Sequence, residues 1–177
     1  MKKSLSLLYF NGKCLSDNFD NAPLVENFNQ YYDELKKNHY ELYETPIQDI
    51  LIFFNEVSKK IIERDGIFQK KFSEDGINFL VYWFRQNFLE KAINQSLRID
   101  PSVLDQYIKI EDKTLISATP KGIITHWLSG NVPILGLLSL IQGIATKNIN
   151  ILKISKDTGM LIPKFLEEVA KINVKVS

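Results

Sequence analysis

The side chains that could do chemistry lie in two short polar stretches in the second half of the chain. In chain order they are Asn131, Lys153, Ser155 and Lys156. An amide can donate a hydrogen bond to negative charge that develops on a reacting oxygen, and ammonium and hydroxyl groups can bind phosphate oxygens. The plainer interpretation is structural, because Asn-x-Pro is a common turn, serine often caps a helix and a lysine at a strand end is usually solvated. Residue type and spacing leave both interpretations open.

Several familiar catalytic motifs are absent from the sequence, which contains no G-x-G-x-x-G, no P-loop and no G-x-S-x-G. With one cysteine and two histidines, it has neither a disulfide framework nor the spacing of zinc ligands, so no metal site is expected. Cys14 and His126 lie in different elements, and nothing predicts that they form a nucleophile–base pair. We interpret Cys14 as a structural thiol and His126 as a core residue with satisfied nitrogens.

Composition narrows the function classes further. The chain has 177 residues, 45% of them hydrophobic, and a formal net charge of +1. No bulk positive field attracts nucleic acid, and no basic stripe is interleaved with aromatic residues, so no nucleic-acid partner is expected. The longest apolar stretch, residues 132–146, is shorter than the roughly 20 residues of a membrane-spanning helix and is interrupted by Pro133. We expect a cytoplasmic protein without a membrane span.

The first half of the chain is predicted to be a hairpin followed by helices. Asn11-Gly12 is a strong signal for a two-residue β-turn, which would place Cys14 on the return strand. Thr45-Pro46-Ile47-Gln48 resembles a capping box that opens a helix. A second helix is predicted to start near Ser73 and to run through residue 93, with its aromatic residues in the core or, alternatively, along an acyl chain.

The second half alternates between strand and helix patterns. A strand begins at Ile123-Ile124, an almost wholly apolar helix spans 134–146, a strand spans 149–154, an amphipathic helix spans 158–170, and another strand is predicted over 172–176. This alternation predicts an α/β fold with a parallel sheet. Ligands bind such sheets where strands end and turns lead into helices. We therefore expect a helical region with a hairpin over 1–100 and the first half of a Rossmann-like cofactor domain over 101–177.

The segment between residues 120 and 157 carries a resemblance to a known family. It reads Pro-Lys-Gly-Ile-Ile-Thr-His-Trp-Leu-Ser-Gly-Asn-Val-Pro, an apolar helix, and then Lys-Asn-Ile-Asn-Ile-Leu-Lys. Aldehyde dehydrogenases carry Pro-x-Gly-Val, a strand, Pro-Trp-Asn-x-Pro, a helix, Gly-Asn, a strand and Lys-Pro-x-Glu. The Ser-Gly-Asn-Val-Pro variant is more similar to their acyl-CoA reductase branch, the fatty acid reductases of bacterial luminescence. A weaker resemblance extends through most of the chain, including residues 82–97.

The resemblance implies roles at the end of the first strand. Asn131 matches the asparagine whose amide stabilises the thiohemiacetal oxyanion, an interaction worth roughly 3 kcal/mol. Leu128, Ser129 and Gly130 would supply backbone near the nicotinamide. Gly130 replaces the family's tryptophan, so this wall of the site departs from the family pattern.

Roles at the end of the second strand concern the other end of the cofactor. Lys153 matches the lysine that holds the adenine ribose, although it falls one residue short of the common spacing. Lys156 stands where NAD-preferring members often carry glutamate, and the reversed charge favours the 2′-phosphate of NADP. Ser155 would donate to the same phosphate or cap the following helix.

The family's nucleophilic cysteine, its base glutamate and its glycine pair lie farther along the chain, and no residue here matches them. A half-built parallel sheet leaves open edges, so we expect a fragment that is inactive alone and poorly soluble. The resemblance implies acyl-CoA as substrate, and an acyl-protein synthetase or a second copy as partner. The alternatives are an NAD(P)-dependent dehydrogenase of free aldehydes and a non-enzymatic helical interaction module.

Overall fold

Seven helices and three two-stranded sheets make up the part of the chain that the structure, a computed structural model, describes: residues 5–128, 132–156 and 159–173. The strands are β1 (Tyr9–Phe10), β2 (Lys13–Cys14), β3 (Ile108–Glu111), β4 (Thr114–Ile116), β5 (Ile123–Trp127) and β6 (Ile149–Lys153). The helices are α1 (Tyr32–Glu44), α2 (Ile47–Ile62), α3 (Ile67–Phe72), α4 (Leu80–Phe84), α5 (Gln86–Leu97), α6 (Pro133–Ala145) and α7 (Leu161–Val169). Short 3₁₀ turns occupy Phe28–Tyr31, Ser73–Asp75, Ile77–Phe79 and Pro101–Leu104.

The N-terminal hairpin is confirmed. β1 and β2 pair antiparallel, and Asn11 and Gly12 adopt φ values of 46° and 84°. Positive φ at both central positions is what a type I′ turn requires. Cys14 lies on the return strand, as expected, and the hairpin packs against α7, where the Cys14 N–H donates to the Glu167 carboxylate over 3.0 Å.

The capping box predicted at the start of α2 is wrong. The Thr45 hydroxyl donates back to the Glu41 carbonyl of α1 over 2.8 Å instead of capping α2. The Ile47 N–H donates to both carboxylate oxygens of Asp105, each 3.1 Å away. A carboxylate that is distant in sequence therefore satisfies the free amide at the positive end of the helix.

The single helix predicted from Ser73 is also wrong, because the chain breaks twice within it. Gly76 adopts a left-handed φ of 76°, and Arg85 is extended with ψ of 133°. The apolar spacing on which the prediction rested survives the breaks, since Ile77, Leu80 and Phe84 are all buried. These side chains face α2 because their segments pack against that helix, and not because they belong to one continuous helix.

The parallel unit predicted in the second half is present. β5 and β6 pair in parallel, with Ile123 opposite Ile149 and Trp127 opposite Lys153, and α6 crosses between them. The amphipathic helix predicted over 158–170 is α7. The strand predicted over 172–176 lies largely outside the described residues, and the antiparallel pair β3–β4 was not predicted.

One buried apolar cluster runs from α2 to α7. It contains residues from both predicted regions, including Leu51, Phe84, Leu137 and Phe165. Phe165 stands edge-on to two phenylalanines of α3, with ring centroids 5.4 and 5.8 Å away. The helices of the first half therefore support the side of the parallel unit that α6 and α7 cover. A boundary at residue 100 stays a prediction.

A buried carboxylate ties α3 to the end of α7. Glu168 is only 7% exposed and accepts hydrogen bonds from Lys71 at 2.6 Å and Lys171 at 3.0 Å. Burial alone would raise the pKa of the Glu168 carboxyl, but the hydrogen bonds and charges of the two ammonium groups outweigh it and lower the pKa below its ordinary value of 4.5.

This arrangement predicts a pH-dependent stability. A carboxylate with a lowered folded-state pKa stabilises the fold above its ordinary, unfolded-state pKa of 4.5 and loses that contribution as pH falls through the lower folded-state value. Glu168→Gln should therefore destabilise the protein most near neutral pH and least near about pH 3, as measured by urea denaturation, relative to the exposed control Glu74→Gln. An equal deficit at both pH values would contradict the account.

Candidate functional site

The ends of β5 and β6 meet at one edge of the parallel sheet. Trp127 and Lys153 are register partners, and the Leu128 N–H donates to the Lys153 carbonyl over 3.0 Å. The turns that follow the two strands therefore start side by side, which is the arrangement expected of a ligand site in a parallel sheet. Of the predicted site residues, Leu128 and Lys153 are brought together directly. Ser129, Gly130 and Asn131 lie outside the described residues.

The side chains at the end of β6 face mainly toward solvent. Lys153 is exposed, and Ser155 is half-buried. Lys156 is exposed as well, and its ammonium lies 3.0 Å from the carboxylate of Asp20 in the N-terminal loop. Sequence reasoning missed Asp20 because nothing local links a loop at residue 20 to a strand end at residue 153.

Polar side chains hold β5, α6 and β6 together beneath this edge. His126 of β5 is half-buried, and its Nδ1 lies 2.6 Å from the Ser139 Oγ of α6 while its Nε2 lies 2.8 Å from the Asn150 Oδ1 of β6. Both nitrogens are satisfied, as the sequence analysis predicted. The neutral imidazole with hydrogen on Nε2 fits both contacts, donating to Asn150 and accepting from Ser139.

The far end of α6 approaches β6 closely because residue 143 is glycine. A Cβ at Gly143 would overlap Asn150 Oδ1, the atom that His126 contacts. The buried Asn148 side chain bonds to the Thr146 carbonyl over 2.9 Å and accepts from the Gly122 N–H over 3.1 Å. These contacts fix how α6 sits on the sheet, and therefore where its N-terminal turn lies.

A buried lysine joins the turn before β6 to the first helices. Lys147 is 2% exposed and pairs with Asp105 over 2.6 Å, while its ammonium also donates to the Tyr43 carbonyl over 2.9 Å. Its φ of 59° is left-handed, a backbone conformation that favours glycine. Sequence reasoning missed this role of Lys147, because both of its partners lie far away in the chain.

Aromatic side chains of α4 and α5 form a surface beside α6. Of the aromatic residues predicted to lie in the core or along an acyl chain, Phe84 is buried, whereas Tyr82 and Phe79, which directly precedes α4, are 56% and 53% exposed. Trp83 and Phe88 stand edge-to-face with centroids 4.8 Å apart. They open into a small apolar cleft of about 30 Å³, whose other lining residues are Leu89, Ala92, Leu138, Ile141 and Gln142.

Cys14 is poorly suited to act as a nucleophile. Burial and the nearby Glu167 carboxylate raise the pKa of the Cys14 thiol, so the thiol stays protonated near neutral pH. Within residues 5–128, 132–156 and 159–173, no cluster of three or more His, Cys, Asp or Glu side chains could hold a metal ion. None of the helices described is long and apolar enough to cross a bilayer.

Comparison with known proteins places these features in a family. The chain is 43% identical over 53 residues to the long-chain acyl-protein thioester reductase of Photorhabdus luminescens, a stretch covering 30% of this chain and 11% of that protein. It is 43% identical over 69 residues to the reductase of the same name from Aliivibrio fischeri, covering 37% of this chain and 14% of the relative. The matches thus span only a small part of these relatives, and no solved structure matches. Residues 42–177 match the family described as acyl-CoA reductase (LuxC), and the chain belongs to that family.

Proposed function

We propose that this chain forms the dinucleotide-binding corner of an NADPH-dependent reductase that converts a long-chain acyl thioester to an aldehyde. The observation that carries the proposal is the Leu128 N–H bond to the Lys153 carbonyl, which joins the two strand ends at which a parallel sheet binds ligands. Exposed ammonium groups at Lys153 and Lys156 suit the ribose and 2′-phosphate of NADPH. The bound dinucleotide would supply the hydride.

The remaining chemistry is divided between this chain and residues farther along the family's sequence. In the whole enzyme a thiolate would attack the thioester and expel the thiol. Asn131, two residues before α6, would donate its amide to the oxyanion, and the backbone of residues 128–130 would border the nicotinamide. We propose that the 177-residue chain alone binds ligands but does not turn over, because no residue matches the family's nucleophile.

An apolar path leads from this corner toward the aromatic surface. Val132 and Leu135 are 41% and 50% exposed, and Leu138 follows on the same side of α6 at helical spacing. The path ends at the cleft between Trp83 and Phe88. Because α6 rises by about 1.5 Å per residue, this apolar path leads away from the start of the helix. An acyl chain whose carbonyl lies near Asn131 would therefore run along apolar atoms. We propose that the acyl chain lies here.

The cofactor assignment is tested by titrating NADPH while its fluorescence is recorded. We expect saturable binding, and we expect Lys153→Met to weaken it by at least about tenfold, since a hydrogen bond to a charged group contributes roughly 1.5–3 kcal/mol. The matched control is Lys113→Met, which removes an ammonium from the β3–β4 turn. Absence of binding to the unaltered chain, or equal weakening by both variants, would remove the support for this site.

The acyl assignment separates the thioester reductase from a dehydrogenase of free aldehydes. In a Trp127→Phe background Trp83 is the only tryptophan, because the chain has two, and its emission can be excited selectively at wavelengths that tyrosine does not absorb. A long-chain acyl-CoA should shift the Trp83 emission at concentrations where free CoA does not. A response to the free aldehyde and none to the acyl-CoA would favour the dehydrogenase. A response to neither would overturn the proposed acyl path.

A further inference from the structure

The N-terminal loop reaches the candidate cofactor corner and places a carboxylate on it. Asp20 lies 3.0 Å from the ammonium of Lys156, although 136 residues separate them in the chain. Both side chains are exposed, at 84% and 75%, so the pair is open to any anion that approaches Lys156. The charge available to a 2′-phosphate at this position is therefore partly neutralised before the ligand arrives.

Local contacts hold Asp20 in place. The Asn18 side-chain oxygen accepts from the Asp20 N–H over 3.1 Å and from the Asn21 N–H over 2.9 Å, which fixes the turn around residue 20. The preceding hairpin is anchored to α7, where the Tyr9 hydroxyl lies 3.5 Å from the Leu166 carbonyl. The loop that carries Asp20 is therefore held at its start by the hairpin's contact with α7, and around residue 20 by hydrogen bonds within the loop.

We infer that Asp20 is a specificity-determining residue that weakens the binding of dinucleotides carrying a 2′-phosphate. The inference rests on the cofactor site proposed above. A 2′-phosphate that binds Lys156 must displace the Asp20 carboxylate or lie beside it, and like charges at such a distance repel. A ribose with a free 2′-hydroxyl meets no such repulsion. Asp20 therefore narrows the preference for NADP(H) over NAD(H) that Lys156 alone would give.

The test uses two probes that differ mainly in the 2′-phosphate. The chain is titrated calorimetrically with adenosine 2′,5′-bisphosphate and with 5′-AMP. Asp20→Asn should tighten binding of the bisphosphate about two- to fivefold, the range expected for one exposed ion pair, and leave 5′-AMP unchanged. Asp17→Asn, which neutralises a neighbouring exposed carboxylate of the same loop, should change neither affinity.

A second variant background distinguishes two explanations of tighter binding: competition between the Asp20 carboxylate and the phosphate for Lys156, and a general change in the charge of the protein. In Lys156→Met, Asp20→Asn should no longer tighten bisphosphate binding, because the ammonium for which carboxylate and phosphate compete is gone. Equal tightening by Asp17→Asn, unchanged bisphosphate affinity in Asp20→Asn, or a gain that persists without Lys156 would overturn the inference while leaving the cofactor site intact. Failure of both probes to bind any variant would overturn the cofactor site and this inference together.

Discussion

Replacing Lys147 with methionine should lower the free energy of unfolding by about 3 kcal/mol in urea denaturation, because removing one partner of a buried ion pair leaves the other uncompensated. The Lys147 ammonium is 2% exposed and contacts Asp105 at 2.6 Å, the Tyr43 carbonyl at 2.9 Å and the Tyr43 ring at 5.7 Å. Methionine fills a similar volume but leaves the Tyr43 carbonyl without this donor, and the Asp105 carboxylate keeps the Ile47 N–H without a compensating positive charge. We place the loss at the low end for buried pairs because Asp105 is 28% exposed.

Two further variants test the cause of that loss. Lys60→Met removes an exposed pair with Glu63 and should change stability by less than about 0.5 kcal/mol. Adding Asp105→Asn to Lys147→Met should restore part of the loss, since an amide oxygen can still accept from the Ile47 N–H without an unpaired charge. If Lys147→Met lowers the free energy of unfolding no more than Lys60→Met does, the contacts of Lys147 with Asp105 and Tyr43 do not stabilise the fold. Because Lys147 lies two residues before β6, the strand that carries Lys153, its loss should also weaken NADPH binding.

The second large effect concerns a glycine inside a helix. Replacing glycine with alanine inside an exposed helix usually stabilises a protein by roughly 0.5–1 kcal/mol. In Gly143→Ala the added Cβ overlaps Asn150 Oδ1, so the Asn150 side chain must move and its contact with His126 Nε2 must break. We expect a net loss of about 2 kcal/mol from overpacking together with a lost, partly buried hydrogen bond, measured by thermal or urea unfolding.

A double-mutant cycle attributes this loss to Asn150. If the overlap causes it, Gly143→Ala and Asn150→Ala together should cost clearly less than the sum of the two single changes. Gln142→Ala, one residue earlier on the exposed side of α6, serves as the control and should be nearly neutral. Additive effects in the cycle, or stabilisation by Gly143→Ala alone, would contradict the close approach of α6 and β6.

Elements whose signals are local could be predicted from the sequence. Asn11-Gly12 specified the hairpin because both positions tolerate positive φ. The apolar stretches around β5, α6 and β6 specified a parallel unit because strand and helix patterns differ in period. His126 was correctly interpreted as a satisfied residue. The same reasoning failed over residues 73–93, since apolar spacing records which face is buried but not whether the backbone between buried positions stays helical.

The sequence by itself determined the parallel βαβ unit and the family pattern at residues 120–157, because the periodicity of a strand or helix and the order of a motif are properties of neighbouring residues. Only the tertiary structure decided that Asp105 caps α2, that Lys147 is buried on Asp105, and that Asp20 reaches Lys156. Each of these contacts joins residues far apart in the chain. A charged side chain carries no local signal of its partner, so its role becomes defined only when folding brings the two charges together.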